Sequence, residues 1–476
     1  MTDGARRASA VAAILAGVAL RLVLVAEKPL WADEIFTLTL ARGQVPAILE
    51  ALRSDSGPPL HYLLAHAVLA PFGSAPGGHD VAVRLISLLA SLLHLPLLVL
   101  VARRCGRPEA GLPAAALYAL FPLAADYAAE GRAYALASLL VLLAVERALA
   151  LREASRPGPA VALALATAAA VWSHYLAVFP LAGIAALVPG TPRASRNALV
   201  GGLAAAAGLF LPWLPVALQQ PAASMAWSQG GALADASLQV PVNLALGLTP
   251  PEGTLAVLVP VSLLLLAAIL LAGWKGPLRP AALVLAAGLP LLLAGHFLGR
   301  PLLLPERPAV LFLPYVALLF AGAPRPAAAL SALASLAGLV LLARAAVRPS
   351  PGEALRDVLL PRVREGRIVC AAGLVGPELD YRLARAGLPG RVVLFPSDVA
   401  RHPGWFDEAQ VPPDRLALEA RSLLSSPVRP RLFVLPKGSR AAAALGAAVG
   451  PGDVIPVASN VLVDVVEVPS AAPARP

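Results

Sequence analysis

Two adjacent carboxylates, Asp33 and Glu34, follow Trp31 directly after the first long apolar run of the chain. Charge is costly at the mouth of a membrane helix, so a carboxylate pair there is consistent with a general base, a metal ligand or a helix N-cap. A second charged group holds Asp126, Glu130 and Arg132 with Tyr127 and Tyr134, in the short turn between two later apolar runs. Smaller sets are Pro58-Pro59-Leu60-His61-Tyr62 and Ser173-His174-Tyr175. Ionisable groups held at bilayer depth mark functional sites by default, because each one costs free energy that an apolar residue would not.

The elements that must position these groups are membrane helices. Apolar residues make up 58% of the chain and charged ones only 14%. Apolar runs of roughly 17 to 25 residues, the length a helix needs to cross the hydrocarbon core, recur throughout the first three quarters. About eleven can be drawn: 8–26, 80–101, 110–126, 133–150, 159–173, 175–189, 197–217, 252–272, 278–298, 308–322 and 326–346. The fold class is therefore a polytopic α-helical membrane protein, with a small α/β domain after it.

Alternate threading puts Arg6 and Arg7, Arg103, Arg104 and Arg107, Arg147, Arg152 and Arg156, Arg193 and Arg196, Lys275 and Arg279, and Arg325 on one side. The positive-inside rule makes that side cytoplasmic, with the N-terminus inside and the C-terminal domain external or periplasmic. The expected location is the inner (plasma) membrane. Much of the net charge of +10 is then a topology signal, which argues against nucleic acid as a partner. Glu27-Lys28-Pro29 follows the first span where a signal peptide would show small residues, so that span reads as a retained helix.

Cys105 and Cys370 fall on opposite sides of the membrane and should not pair, and no metal-ligand spacing is present. The sequence requires no cofactor, while Asp33 and Glu34 leave a divalent metal open.

Three stretches depart from the apolar background. The first loop, residues 27–79, is long enough for short helices near 33–42 and 45–53 and an interfacial apolar stretch at 59–72. The loop 218–251 carries Gln219, Gln220, Trp227, Gln229 and Asp235, which suit any solvated segment. Beyond a linker at 348–352, β-rich runs at 367–372, 391–395, 431–435 and 461–468 alternate with helical stretches near 376–387, 412–424 and 439–449. That order predicts a largely parallel sheet. Gly373-Leu374-Val375-Gly376 lacks the dinucleotide fingerprint. The expected domains are a transmembrane domain at 1–346, including the 27–79 loop, and an external domain at 347–476.

The ordered set Trp31-x-Asp33-Glu34, Pro58-Pro59-Leu60-x-Tyr62, Val83-Arg84-Leu85 with Ser87-Leu88-Leu89, Phe121-Pro122, Glu130-x-Arg132-x-Tyr134 and His174-Tyr175 resembles the GT-C glycosyltransferases. The likeness is to the bacterial family 39 type, related to protein mannosyltransferases and lipid A aminoarabinose transferases. It covers roughly residues 8 to 190. A weaker echo follows at Pro305-Glu306-Arg307, where Pro308 stands in place of the family's tyrosine.

The resemblance implies transfer of a hexosyl or pentosyl group from a polyprenyl-phosphate sugar donor in the lipid bilayer to a glycan, lipid or protein acceptor on the external face, usually with inversion. It implies Asp33 as the base, with Glu34 orienting acceptor, lipid phosphate or metal. Arg132, Arg307, His61 and His174 are its candidates for the lipid phosphate. Tyr62, Glu130, Tyr134 and Tyr175 are its candidates for substrate contacts.

Each assignment has a plainer rival: a cap for the carboxylates, an ion pair with Glu130 or Asp126 for Arg132, an interfacial belt for the tyrosines. Arg21 and Arg84 read as snorkelling or structural. An O-antigen ligase or polymerase-like enzyme would place its acting residues in a late external loop. A transporter would show inverted repeats with charges near the midplane. A non-catalytic scaffold would have no use for Asp33, Glu34 and Arg132 together.

Overall fold

The structure is a computed structural model that describes residues 2–72, 78–154, 156–220, 233–250, 253–298, 307–323, 325–346, 351–373, 375–401, 408, 411–425, 430–449, 454–459 and 463–468. The chain separates into two compact units. One comprises Met1–Lys28, Ser56–Val68 and Val81–Val347, and the other Pro29–Asp55, Leu69–Asp80 and Arg348–Pro476. The second unit is thus not the tail alone, because two pieces of the first loop belong to it.

The first unit is helical, and a helix lies at each of the eleven expected spans. Among the described residues six helices are long and apolar enough to cross a membrane: Asp3–Glu27, Asp80–Arg104, Tyr134–Glu153, Leu255–Lys275, Arg279–Phe297 and Pro326–Ala343. A seventh is a broken pair, Pro108–Leu120 and Pro122–Ala129, bent by 71°. Pro122 causes the break: it has no amide hydrogen to give, and it holds the preceding Phe121 in extended backbone at ψ 119°. The freed Leu123 amide donates instead to the Gly247 carbonyl at 2.8 Å. The remaining expected spans take shorter helices, among them Pro157–Ser173, Tyr175–Leu187 and Leu313–Gly322.

Helices in lipid gain little from burying apolar surface against one another, so close backbone approach carries the packing. Small residues supply it: a Cβ added to Gly17 would meet the Ala119 carbonyl oxygen at 2.4 Å. Ala114, Ala137 and Ala144 are fully buried in the same bundle. Arg21, 1% exposed, crosses this seam and does not snorkel. Its guanidinium donates to Ser91 Oγ at 2.9 Å and to the Gly17 and Ala119 carbonyls at 2.9 and 2.6 Å. Arg84 is equally buried and donates to the carbonyls of Val25 and Lys28 at 3.1 and 2.6 Å. Both arginines fasten backbone, as the structural reading expects.

The second unit carries a five-stranded sheet built from β1 (Val369–Ala372), β2 (Val392–Phe395), β3 (Leu432–Pro436), β4 (Ile455–Ser459) and β5 (Val463–Glu467). Its order is β2-β1-β3-β5-β4, with β1 parallel to β2 and β3, and β5 antiparallel to both β3 and β4. Alternation along β1 feeds two cores. Cys370 and Ala372 face one with Leu416, Ala420 and Leu445, and Val369 and Ala371 face the other with Leu359, Leu379 and Leu383.

Two sequence expectations need revision here. The expected strand at 461–468 is the inner arm of an antiparallel hairpin whose outer arm, β4, contains Pro456. A proline reads as a strand breaker, yet an edge strand tolerates it. The expected linker at 348–352 runs into a helix, Pro351–Arg364, which opens on a proline as helices commonly do.

Candidate active site

In the first unit the bend at Pro122 delivers the chain to the charged turn. Glu130 has extended backbone, and Gly131 lies so close to Val83 that an added Cβ would meet its side chain at 3.0 Å. The Ser87 hydroxyl donates to the Arg132 carbonyl at 2.9 Å. The backbone of Arg132 is thereby fixed from the start of the Leu85–Arg104 helix.

The Arg132 guanidinium donates to the Tyr62 hydroxyl at 3.2 Å. His61 Nε2 donates to the Gly131 carbonyl at 3.2 Å, since a carbonyl can only accept. Tyr134, at the head of the next helix, places its ring 4.8 Å from that of His174 and 5.1 Å from that of Tyr127. The Arg307 guanidinium stands 5.9 Å from the centre of the Tyr134 ring. The structure therefore brings His61, Tyr62, Glu130, Arg132, Tyr134, His174 and Arg307 into one cluster.

Both histidines are neutral there. Burial, seconded by the charge of Arg132, pushes the His61 imidazole down to about 4 and that of His174 to about 3, with Arg307 adding to the latter. A protonated His61 is favoured in part by the Gly131 carbonyl, but burial outweighs it. His174 Nδ1 accepts the Leu176 amide at 3.2 Å, which leaves Nε2 to carry the proton. His61 Nδ1 is buried with no hydrogen-bond partner among the described residues. These imidazoles offer hydrogen bonds to a ligand, while the positive charge comes from the arginines.

Lys28 is the functional-site candidate that sequence reasoning passed over. Its ammonium lies 2.7 Å from Asp126 and 3.4 Å from Glu130, giving those carboxylates the cation that the plainer reading assigned to Arg132. The signal was a lysine at the end of the first span, and Arg84 holds its carbonyl in place.

Tyr175 belongs to a neighbouring aromatic group. Its hydroxyl accepts from Trp213 Nε1 at 2.8 Å and donates to Gln220 at 2.9 Å, and Gln220 in turn donates to the Gly57 carbonyl. Trp227 and Gln229 lie outside the described residues, as do Pro305 and Glu306.

In the second unit Asp33 and Glu34 open the helix Ala32–Ala41. Trp31 precedes it in extended backbone at φ −104°, and the fully buried Glu34 carboxylate accepts the Trp31 amide at 3.4 Å. Glu34 thus makes the N-terminal cap contact, while Asp33 stays half-exposed in the first turn. Among the described residues no group of three His, Cys, Asp or Glu side chains is placed to hold a metal ion.

No family model and no curated protein matches the chain. Among solved structures it is similar to ArnT from Cupriavidus metallidurans in the apo state, at 15% identity over 97% of this chain and 98% of that one, with a TM-score of 0.61. The same ArnT bound to undecaprenyl phosphate aligns at 14% identity over 96% and 97% of the two chains, with a TM-score of 0.58. The apo oligosaccharyltransferase of Archaeoglobus fulgidus aligns at 12% identity over 90% of this chain and 69% of that one, with a TM-score of 0.52. The chain has the GT-C fold of the polytopic membrane glycosyltransferases, the fold its motifs resemble.

Proposed function

We propose that the protein is a membrane glycosyltransferase that moves a sugar from a polyprenyl-monophosphate carrier to an acceptor. The observation that carries this reading is the cluster of Arg132, Arg307, Tyr62 and two neutral histidines inside a fold shared, nearly end to end, with an ArnT whose structure is bound to undecaprenyl phosphate.

Transfer of this kind asks two things of the protein. The acceptor hydroxyl must lose its proton as its oxygen attacks the anomeric carbon, and the phosphate must leave with the electron pair of the breaking carbon–oxygen bond. Asp33 takes the proton; motif order and its half-exposed place in a helix first turn support that role. Arg132 meets the charge growing on the departing phosphate with paired donors, and Arg307 adds a second cation. Neutral His174 donates through Nε2 without competing for the charge, neutral His61 holds the Gly131 carbonyl beside Arg132, and Tyr62 and Tyr134 set the arginines. A single displacement of this form inverts the anomeric centre and balances without a cofactor.

The cluster is on the external side by the arginine count of the loops, with the N-terminus in the cytoplasm. The acceptor is a glycan, a lipid or a protein. The test incubates membranes carrying the protein with a panel of polyprenyl-phosphate hexoses and pentoses and follows free polyprenyl phosphate. Release from one donor by the wild type, lost in Asp33→Asn, is the expected result. Equal release from both proteins, or release from no donor, overturns the reading.

A further inference from the structure

A cavity of about 630 Å³ in the first unit is lined by Arg104, Arg152 and Arg279 with Glu153, Leu187 and Leu283. It lies far from Arg132. The Tyr134–Glu153 helix begins beside the Arg132 cluster and ends at this cavity, and 20 residues at 1.5 Å each make about 30 Å.

The three arginines are not equivalent. Arg104 is committed: its guanidinium lies 3.1 Å from Glu146, which is fully buried, and it also pairs with Glu153. Among the described residues Arg152 donates a long bond to the Gly190 carbonyl, at 3.3 Å. Arg279 is exposed and stands 5.4 Å from the Trp274 ring centre. With one lining carboxylate against three guanidiniums, the cavity keeps net positive charge, and its leucine and proline walls make the remainder apolar.

A soluble anion has no use for such walls, whereas a phospholipid has both a phosphate and adjoining acyl chains. The cavity also sits at the helix ends where the basic loop residues gather, the end that faces the anionic leaflet by the positive-inside rule. We propose that this cavity binds the phosphate headgroup of an anionic phospholipid, at the opposite end of the bundle from the sugar-transfer cluster. Arg152 and Arg279 grip the phosphate, and Arg104 stays with Glu146.

The test titrates the detergent-solubilised full chain with short-chain phosphatidylglycerol or phosphatidylcholine and counts bound lipid by native mass spectrometry. Arg152→Gln with Arg279→Gln should weaken phosphatidylglycerol binding about thirtyfold, roughly fivefold for each charge near the headgroup. A charge-matched control, Arg156→Gln with Arg193→Gln, removes two exposed arginines outside the lining and should leave binding unchanged. Arg104 is spared because its loss would strand buried Glu146. Should the first pair fail to fold, Arg279→Glu alone, at an exposed position, gives the same reading. Equal loss in both pairs means diffuse surface charge and overturns the proposal. So does equal binding of phosphatidylcholine, or displacement of the lipid by millimolar inorganic phosphate, which would mark a soluble-anion site.

Discussion

Arg382 donates to the carbonyl oxygen of Leu30 at 2.6 Å, one residue ahead of Trp31-Ala32-Asp33-Glu34. The arginine is 5% exposed and is braced from behind by Glu378, whose carboxylate takes two of its N–H groups at 2.9 and 2.7 Å. Tyr381 and Arg385, on the same helix, reach Asp80. The tail helix Val375–Arg385 therefore grips both ends of the first loop that belong to its unit.

Replacing this clamp tests whether the tail positions the carboxylates. A hydrogen bond from a charged donor contributes about 1.5–3 kcal/mol, so Arg382→Ala should loosen the 29–55 segment by that order. Limited proteolysis of the segment should quicken and the turnover number for transfer should fall, with the donor KM little changed. Arg382→Lys keeps one N–H toward Leu30 and should recover part of the rate. An unchanged turnover number in Arg382→Ala would show that the clamp is packing alone.

Arg132→Ala should abolish transfer while expression persists, because the cluster's backbone contacts through Ser87 and Gly131 survive truncation of the side chain. Loss of one donor to a developing oxyanion costs on the order of 10²–10³ in rate. Arg132→Lys keeps the charge without the fork and should fall between the two, as read by release of free polyprenyl phosphate.

Much of this was legible in the residues. The eleven apolar runs locate helices because hydrophobic length is a direct physical requirement of the bilayer. Motif spacing picked out His61, Tyr62, Glu130, Arg132, Tyr134, His174 and Arg307 before their contacts were known. What escaped is non-local. Lys28 at the end of a span looks like any interfacial lysine until the Pro122 bend brings Asp126 to within 2.7 Å of it. Arg382 lies 352 residues from Leu30, and no pattern in a single sequence joins them. β4 was hidden by its proline, which carries information about edges only once the sheet order is known.

Lys28→Met should destabilise the charged turn. It leaves Asp126 and Glu130, about 25% and 10% exposed as side chains, without the ammonium now beside them. A part-buried pair lies between the exposed and fully buried cases, so a cost of about 1–2 kcal/mol is expected. Thermal melting in detergent reads it, and Lys28→Arg should restore most of the loss. A melting temperature equal to wild type in Lys28→Met would show that other neighbours carry these carboxylates.

The neutral histidines predict a pH limit on stability. Burial lowers the His61 pKa from 6.5 to about 4, so the unfolded chain takes up a proton below pH 6.5 that the folded protein refuses. Stability is then greatest above pH 6.5 and declines as the pH falls toward 4, where the loss levels off. At 1.36 kcal/mol for each pKa unit, the full effect for His61 is about 3 kcal/mol, and His174, at about 3, extends the decline to lower pH. Melting temperature measured from pH 7.5 to pH 4 should fall steadily in the wild type. His61→Gln keeps an N–H for the Gly131 carbonyl but cannot titrate, so its profile should be flatter over the same range. Parallel profiles for the two proteins would mean that His61 takes up its proton as readily in the fold as out of it.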